Sequence, residues 1–291
     1  MNCIDSITEG NWVIYNGDAV EVLRGLPERS VDYSIFSPPF ASLYTYSNSP
    51  RDMGNCRDDA EFFAQFAFLV RELRRIVKPG HNVSFHCMQL PTSKVRDGVI
   101  GLKDFRGDLI RAFEAEGFIY ASEVCIWKDP VTAMQRTKAL GLLHKTIRTN
   151  ATMSRQGIAD YLVTMRAPGE VMDKVAHGEE IPVDEWQKLA SPVWMDINPN
   201  DTLQFRSARE HDDERHICPL QLEVIRRGVR LWTRPGDVVL SPFAGIGSEL
   251  FVAVEQGRKA VGVELKGSYY EQAVRNLRAA SDQGCLFGEA A

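Results

Sequence analysis

Val31-Asp32-Tyr33-Ser34-Ile35-Phe36-Ser37-Pro38-Pro39-Phe40 starts as a run of β-branched and aromatic residues and stops at two prolines. The run predicts a buried strand. Neither proline can continue it, because each lacks an N–H and has a fixed φ. A polar residue, two prolines and an aromatic therefore sit at the carboxyl end of a strand, the edge where open α/β sheets bind ligands. The Ser37 hydroxyl and the Pro38 carbonyl are acceptors on a stiff loop, and Phe40 is a flat face beside them. They suit a planar heteroaromatic amine, such as the exocyclic amine of adenine or cytosine. Such a nitrogen is a poor nucleophile because its lone pair is delocalised into the ring. Accepting its two hydrogens favours a more tetrahedral nitrogen with the lone pair freed. The same tetrapeptide also reads as a Ser-Pro-Pro turn with a core phenylalanine.

Working outward, Trp12–Tyr15 predicts a strand and Ala19–Leu26 a helix capped by Asp18. With Val31–Phe36 they form one βαβ unit. Ala41–Cys56 has no period and is rich in Ser, Tyr, Asn and Gly. Phe62, Phe63, Phe66, Leu69, Val70, Leu73 and Ile76 recur at helical spacing after Asp58-Asp59, a core stripe that Lys78-Pro79-Gly80 should end. Asn82–Cys87 predicts a strand, Asp104–Glu116 a helix and Phe118–Trp127 a strand.

Between Trp127 and Arg166 the charge changes: Lys128, Arg136, Lys138, Lys145, Arg148, Arg155 and Arg166 face only Asp129 and Asp160. Polar residues are interleaved, and Tyr161–Met165 suggests a returning core strand. Nucleic-acid contacts are expected here, from Arg136, Lys138, His144, Lys145, Arg148, Asn150 and Arg155. A solvated basic face is the plain alternative. Ala167–Asp201 is acidic and proline-broken, with Trp186 and Trp194 expected to anchor it. The net charge of −5 announces no nucleic-acid partner by itself, so any such contact must be a local patch.

Near the other end, Leu220–Leu231 predicts a helix and Val238–Leu240 a buried strand running into Ser241-Pro242-Phe243-Ala244-Gly245-Ile246-Gly247. A helix from Ser248, a strand Ala260–Val263 ending on Glu264, and a helix Ser268–Ala280 follow. Strand, glycine turn, helix, strand and acid is the arrangement of a nucleoside-cofactor site. The third glycine of the dinucleotide pattern is absent, and so are the lysine and hydroxyl of a phosphate loop. A tight turn is the plain alternative.

The two motifs together resemble the β-class DNA amino-methyltransferases. In that family a Ser/Asp/Asn-Pro-Pro-Tyr/Phe motif comes first, then a target-recognition region, then a Phe-x-Gly-x-Gly motif. Ser37–Phe40 and Phe243–Gly247 match in that order. The resemblance implies a doubly wound, mostly parallel, seven-stranded Rossmann-like α/β sheet with one antiparallel strand, circularly permuted. It implies a catalytic half at 1–129, a target-recognition insertion at 130–215 that is partly core, a cofactor half at 216–282 and a tail at 283–291. It implies S-adenosyl-L-methionine as cofactor, held by Asp18, Ala19, Ser37, Pro219, Ser241, Phe243, Ala244, Gly245, Gly247 and Glu264. Ser37, Pro38, Pro39 and Phe40 would carry catalysis, with Tyr44 or Tyr46 helping Phe40 to stack on a flipped base. Double-stranded DNA is the implied substrate and a homodimer the implied assembly, and a cognate restriction endonuclease is left open. The family often has Asp-Pro-Phe where this chain has Ser241-Pro242-Phe243, which removes a carboxylate from the amino end of the cofactor. Adenine N6 and cytosine N4 both stay open as targets. The rivals are an RNA or protein-glutamine methyltransferase, a silent DNA-binding module and, weakest, a dinucleotide oxidoreductase.

Six scattered cysteines without a C-x-x-C pair argue against a zinc site or a disulfide framework and fit a reducing cytoplasm. Cys87 and Cys125 lie in apolar runs and are expected to be buried core thiols. No metal is expected. Met1–Gly10 has no apolar core of a signal peptide, and no run approaches the ~18–20 apolar residues of a membrane span.

Overall fold

The structure, a computed structural model, describes residues 2–40, 52–137, 141–204 and 219–288. In chain order the strands are β1 (Asp5–Glu9), β2 (Trp12–Asn16), β3 (Val31–Phe36), β4 (Val77–Met88), β5 (Leu90–Pro91), β6 (Leu102–Lys103), β7 (Ile119–Ile126), β8 (Asp160–Arg166), β9 (Val193–Trp194), β10 (Val238–Ser241) and β11 (Lys259–Glu264). The helices are α1 (Ala19–Arg24), α2 (Asp59–Ile76), α3 (Lys94–Asp97), α4 (Phe105–Ala115), α5 (Pro130–Thr137), α6 (His144–Thr149), α7 (Val183–Leu189), α8 (Leu222–Trp232), α9 (Ser248–Glu255) and α10 (Gly267–Gly288).

Nine strands form one sheet in the order β1-β2-β11-β10-β3-β4-β8-β7-β9, and β5 pairs with β6 apart from it. The seven expected strands are the stretch from β2 to β7. Within it only β8 runs antiparallel, to both β4 and β7. Two short edge strands extend the sheet. β1 pairs antiparallel with β2 across a Gly10-Asn11 turn, and β9 adds in parallel to β7. Gly10 has φ +54°, which glycine adopts without steric cost.

Each face carries three helices. Buried residues of α1, α2 and α4 share one core with Phe36, while those of α8, α9 and α10 share the other with Tyr33 and Ile35. The crossover from β3 to β4 uses α2 on one face, and that from β10 to β11 uses α9 on the other. The winding therefore reverses between β10 and β3, which opens a crevice at their carboxyl ends.

Local chemistry accounts for three of the helix starts. Asp18, Asp58 and Asp104 each cap a helix by accepting the backbone N–H three residues on, at 3.0, 2.9 and 3.1 Å. Such a cap is worth about 1 kcal/mol. Phe62 and Phe66 of α2 stack at 5.5 Å, and Phe66 meets Phe113 of α4 edge-on at 6.0 Å.

Four expectations need correction. Lys78-Pro79-Gly80 ends α2 but does not interrupt β4, which begins at Val77. The pairing jumps from Val31–Val77 to Tyr33–Asn82, and Gly80, at φ +76°, donates to Ala167 O at 2.9 Å. The proline thus sits at a bulge, where its missing N–H costs no ladder bond. Trp186 does not anchor its segment. It is 55% exposed, because α7 buries Leu189 instead, and Trp194, 1% exposed, does the anchoring. Cys87 is buried as expected, but Cys125 is only partly so. Helix α10 continues to Gly288, so most of the stretch read as a tail is helical.

Candidate active site

A single cleft at the carboxyl ends of β2, β3, β10 and β11 gathers both motifs. Its walls include Asp18 and Ala19 after β2, Ser37, Pro38, Pro39 and Phe40 after β3, and Phe243, Ala244 and Gly245 after β10. Glu264 at the end of β11 and Pro219 before α8 complete the set. Residues more than 200 positions apart in the chain thus meet because β3 and β10 are neighbours in the sheet.

Ser37 is half-buried, and its hydroxyl lies 3.2 Å from His86 Nδ1. Phe40 is half-buried. Its ring leans on Phe105 at 6.3 Å, and Phe105 rests on Phe62 at 6.0 Å and Phe63 at 6.0 Å. Phe40 is thus a cleft wall backed by the core, a combination of the two readings of the tetrapeptide.

The glycine loop is built for close approach. Gly245 has φ +53° and nothing within 4 Å of where a Cβ would point. Its N–H donates to Glu264 Oε2 at 2.8 Å, while Glu264 Oε1 accepts the Lys266 N–H at 2.8 Å. Burial, reinforced by the Asp52 charge, raises the Glu264 carboxyl to about 7 against these two backbone bonds. Glu249, in the first turn of α9, is 4% exposed and lines the same cleft. Burial, with Glu264 nearby, pushes it up to about 8. Among the described residues the wall carries four acids, Asp18, Asp52, Glu249 and Glu264, and one base, Lys266. A cationic ligand would favour the ionised forms of Glu249 and Glu264, whose carboxyls burial has raised.

Two predicted cofactor residues do not reach the wall. Ser241 is fully buried at the end of β10, because the strand turns its side chain into the protein, and its Oγ has no hydrogen-bond partner among the described residues. Gly247, at φ +86°, serves packing. A Cβ there would lie 3.1 Å from that of Ala273 on α10. Sequence reading missed Glu249, Asp52, Lys266, Tyr269 and His86. The acid inside an otherwise apolar helix start and the histidine near the carboxyl end of β4 were the available signals.

The basic stretch lies partly within view. Tyr44, Tyr46 and Lys138 are outside the described residues, as is the side chain of Arg136, which belongs to α5. His144, Lys145 and Arg148 are exposed on α6, and Asn150 is its exposed C-cap, with Oδ1 accepting from Thr152 at 2.6 Å. Lys145 and Arg148 make no ion pair among the described residues. Lys128, by contrast, is committed to Asp160 at 2.6 Å, and Asp129 caps the N–H of Thr132 at 2.7 Å. Arg155 is half-buried and donates to Gln156 O at 3.2 Å. Among the described residues no group of His, Cys, Asp and Glu is arranged to hold a metal, and no helix is long and apolar enough to cross a membrane.

Residues 31–275 match the family model for N6/N4 DNA methylases. The chain belongs to this family of DNA methylases. The match contains the Ser37–Phe40 loop and the Gly245–Glu264 pair, and Gly17–Ala19 precedes it. Among curated relatives, the type II methyltransferase M.BglII of Bacillus subtilis is 26% identical over 276 residues, covering 94% of this DNA methylase and 71% of the relative. The DNA adenine methyltransferase YhdJ of Escherichia coli (strain K12) is 23% identical over 283 residues, covering 92% and 83%. Two solved structures share the fold of this methylase. TTHA0409 of Thermus thermophilus, crystallised with S-adenosyl-L-methionine, has a TM-score of 0.67 at 23% identity, covering 94% of this chain and 96% of its own. The cytosine-N4-specific PvuII DNA methyltransferase has a TM-score of 0.66 at 18% identity, covering 94% and 92%.

Proposed function

We propose that this DNA methylase moves the methyl group of S-adenosylmethionine to the exocyclic amine of a flipped-out adenine (N6) or cytosine (N4) in duplex DNA. The observation that carries this reading is the single cleft in which Ser37–Phe40 faces Gly245 and Glu264. The wall suits that cofactor. The acids Asp18, Asp52, Glu249 and Glu264, against Lys266 among the described residues, favour a sulfonium with an ammonium tail, which would draw the two raised glutamates into their ionised form, and disfavour the pyrophosphate of a dinucleotide. The Ser248 hydroxyl, 3% exposed, has no hydrogen-bond partner among the described residues and lies on the same wall. When bound, the cofactor supplies a strongly electrophilic methyl group.

The protein's own residues then position and exclude water. Glu264 has a free acceptor direction on each oxygen for ribose hydroxyls. Glu249 supplies a carboxylate for the cationic end, the role that Ser241 cannot fill from its buried position. Ser37 Oγ and the Pro38 carbonyl accept the two amine hydrogens, and Phe40 stacks on the base. Holding nitrogen and methyl in line accounts for much of the acceleration.

The basic α6 surface, with Arg136, Lys138, Asn150, Arg155 and the tyrosines Tyr44 and Tyr46, is the proposed DNA-contacting set. Residues 130–215 act as the target-reading insertion while lending β8 and β9 to the sheet. The same proposal takes a homodimer as the assembly and the cytoplasm as the compartment, with a cognate restriction endonuclease if one fixed site is modified.

The test is methyl transfer from labelled cofactor to unmethylated genomic DNA, followed by nucleoside digestion and mass spectrometry. N6-methyladenine or N4-methylcytosine is expected, with loss of signal in Ser37→Ala and Phe40→Ala. Cofactor binding without any modified DNA nucleoside would overturn the reading.

A further inference from the structure

Behind Ser37, on the side away from the cleft, stands a line of polar side chains that the proposed function does not use. Ser37 Oγ lies 3.2 Å from His86 Nδ1. His86 Nε2 lies 3.2 Å from Asp160 Oδ2, an ion-pair approach that is not aligned as a hydrogen bond. Asp160 Oδ1 accepts from Lys128 Nζ at 2.6 Å. His86 and Asp160 show 12% and 4% side-chain exposure. The line crosses three strands: Ser37 follows directly on β3, β4 carries His86, and β8 opens on Asp160. The antiparallel register of β4 and β8, with His86 opposite Leu162 and Met88 opposite Asp160, sets the histidine and the acid one step apart.

We propose that His86 and Asp160 form a proton relay that takes up the proton released from the target amine through Ser37. This rests on the methyl-transfer reading above. The amine lone pair forms the N–C bond, the C–S bond breaks, and its electron pair stays on sulfur. The nitrogen is left with two hydrogens and a positive charge. One of those protons passes to Ser37 Oγ as the hydroxyl's own proton passes to His86 Nδ1. The imidazole needs Nε2–H at the start, the tautomer that turns its N–H toward Asp160. The Asp160 carboxylate stabilises the imidazolium that results. Burial works against an ionised Asp160, but His86 and Lys128 outweigh it and hold the carboxyl below its usual range. The charged groups that face His86 are thus Asp160 from β8 and Lys128 from the segment after β7.

The molecule contains its own control. At the other end of β4, His81 sits with Asp32 and Lys78: its Nδ1 is 2.9 Å from Asp32 O, and Lys78 reaches Asp32 Oδ1 at 2.5 Å. Asp32 Oδ2 is taken by the Val238 N–H at 2.9 Å. The residue types are the same, but this trio's side-chain bonds stitch β3, β4 and β10 together, and none of them leads to the cleft. It is structural, and the Ser37 end makes the difference at His86.

The experiment compares wild type, His86→Asn, Asp160→Asn and His81→Gln. Each is followed by single-turnover DNA methylation from pH 5.5 to 9, by equilibrium cofactor binding and by thermal melting. For His86→Asn, cofactor affinity within about twofold of wild type is expected, with a rate loss on the order of 100-fold and disappearance of the acidic limb of the pH–rate profile. Asp160→Asn should shift that limb, and His81→Gln should lower the melting temperature without moving it. A second readout is the imidazole nitrogen NMR signal of His86, which should respond to Ser37→Ala. A rate loss in His86→Asn with the wild-type pH limb intact would make the histidine a mere support and overturn the relay. An unchanged rate would overturn it as well. If wild type itself methylates no DNA, the functional reading fails and the relay falls with it. If wild type is active and only the variants behave as wild type, the relay alone fails.

Discussion

Glu264 Oε2 accepts the backbone N–H of Gly245 at 2.8 Å, so the acid ending β11 holds the glycine loop that follows β10. Burial has already raised this carboxyl to about 7. Ribose hydroxyls are donors, and a protonated carboxyl loses part of its accepting capacity. Cofactor affinity is therefore expected to rise with pH through about 7, by at most tenfold per pH unit, and then to level off. Glu249, which titrates near 8, should extend the rise. Calorimetric titration of S-adenosylmethionine from pH 5.5 to 9 checks this. Glu264→Gln should bind more weakly at pH 8 and show a flatter dependence.

The same two acids set how the empty protein responds to pH. Their folded pKa values, about 7 and about 8, lie above the 4.5 of the unfolded chain. Between those limits the folded state holds more protons, so stability falls as pH rises from about 4.5 to about 8. The loss attributable to the pair is on the order of several kcal/mol. Thermal melts of the cofactor-free protein across this window should show the decline, and Glu249→Gln should remove part of it. A melting temperature that rises from pH 5 to pH 8 would contradict the assignment.

What could be read in advance follows from where each signal is stored. Helix starts at Asp18, Asp58 and Asp104 were legible because a cap involves residues three apart. The meeting of Gly245 and Glu264 on one cleft wall was legible because both lie on one strand–helix–strand unit. The Ser37–His86–Asp160 line was not, since it exists only through the β3–β4–β8 register and its members are 49 and 74 positions apart. Ser241 was misread for a related reason. Its place beside the glycine loop suggested a cleft residue, but strand alternation turns it inward. The Gly10-Asn11 hairpin signal was present and overlooked.

Arg227 ties β9 and the segment after it to α8. It is 7% exposed, reaches Asp196 at 3.0 and 2.6 Å and Glu223 at 2.9 Å, and lies 5.0 Å from the ring centre of Trp194. Removing it leaves Trp194 without its covering cation and the acids without a partner. Asp196 is largely exposed, so solvent offsets part of the loss. Arg227→Ala is expected to cost about 2–3 kcal/mol in denaturant unfolding. Arg227→Lys should recover little, because an ammonium cannot make the two parallel bonds to Asp196.

Lys145 and Arg148 stand three residues apart on α6, exposed and without ion pairs among the described residues. Most arginines elsewhere are engaged, as in Arg71–Glu116, Arg226–Glu255 and Arg278–Glu9. A chain of net charge −5 can approach a polyanion only through such an uncommitted patch. Lys145→Glu and Arg148→Glu together should weaken duplex binding at least tenfold. Each should also lower the slope of log affinity against log salt by about 1, whatever the DNA sequence. Cofactor affinity should not change, because neither residue lines the cleft. Salt-dependent fluorescence anisotropy with an unmodified duplex measures both effects. An unaltered salt slope in the double variant would move the DNA-contacting surface away from α6.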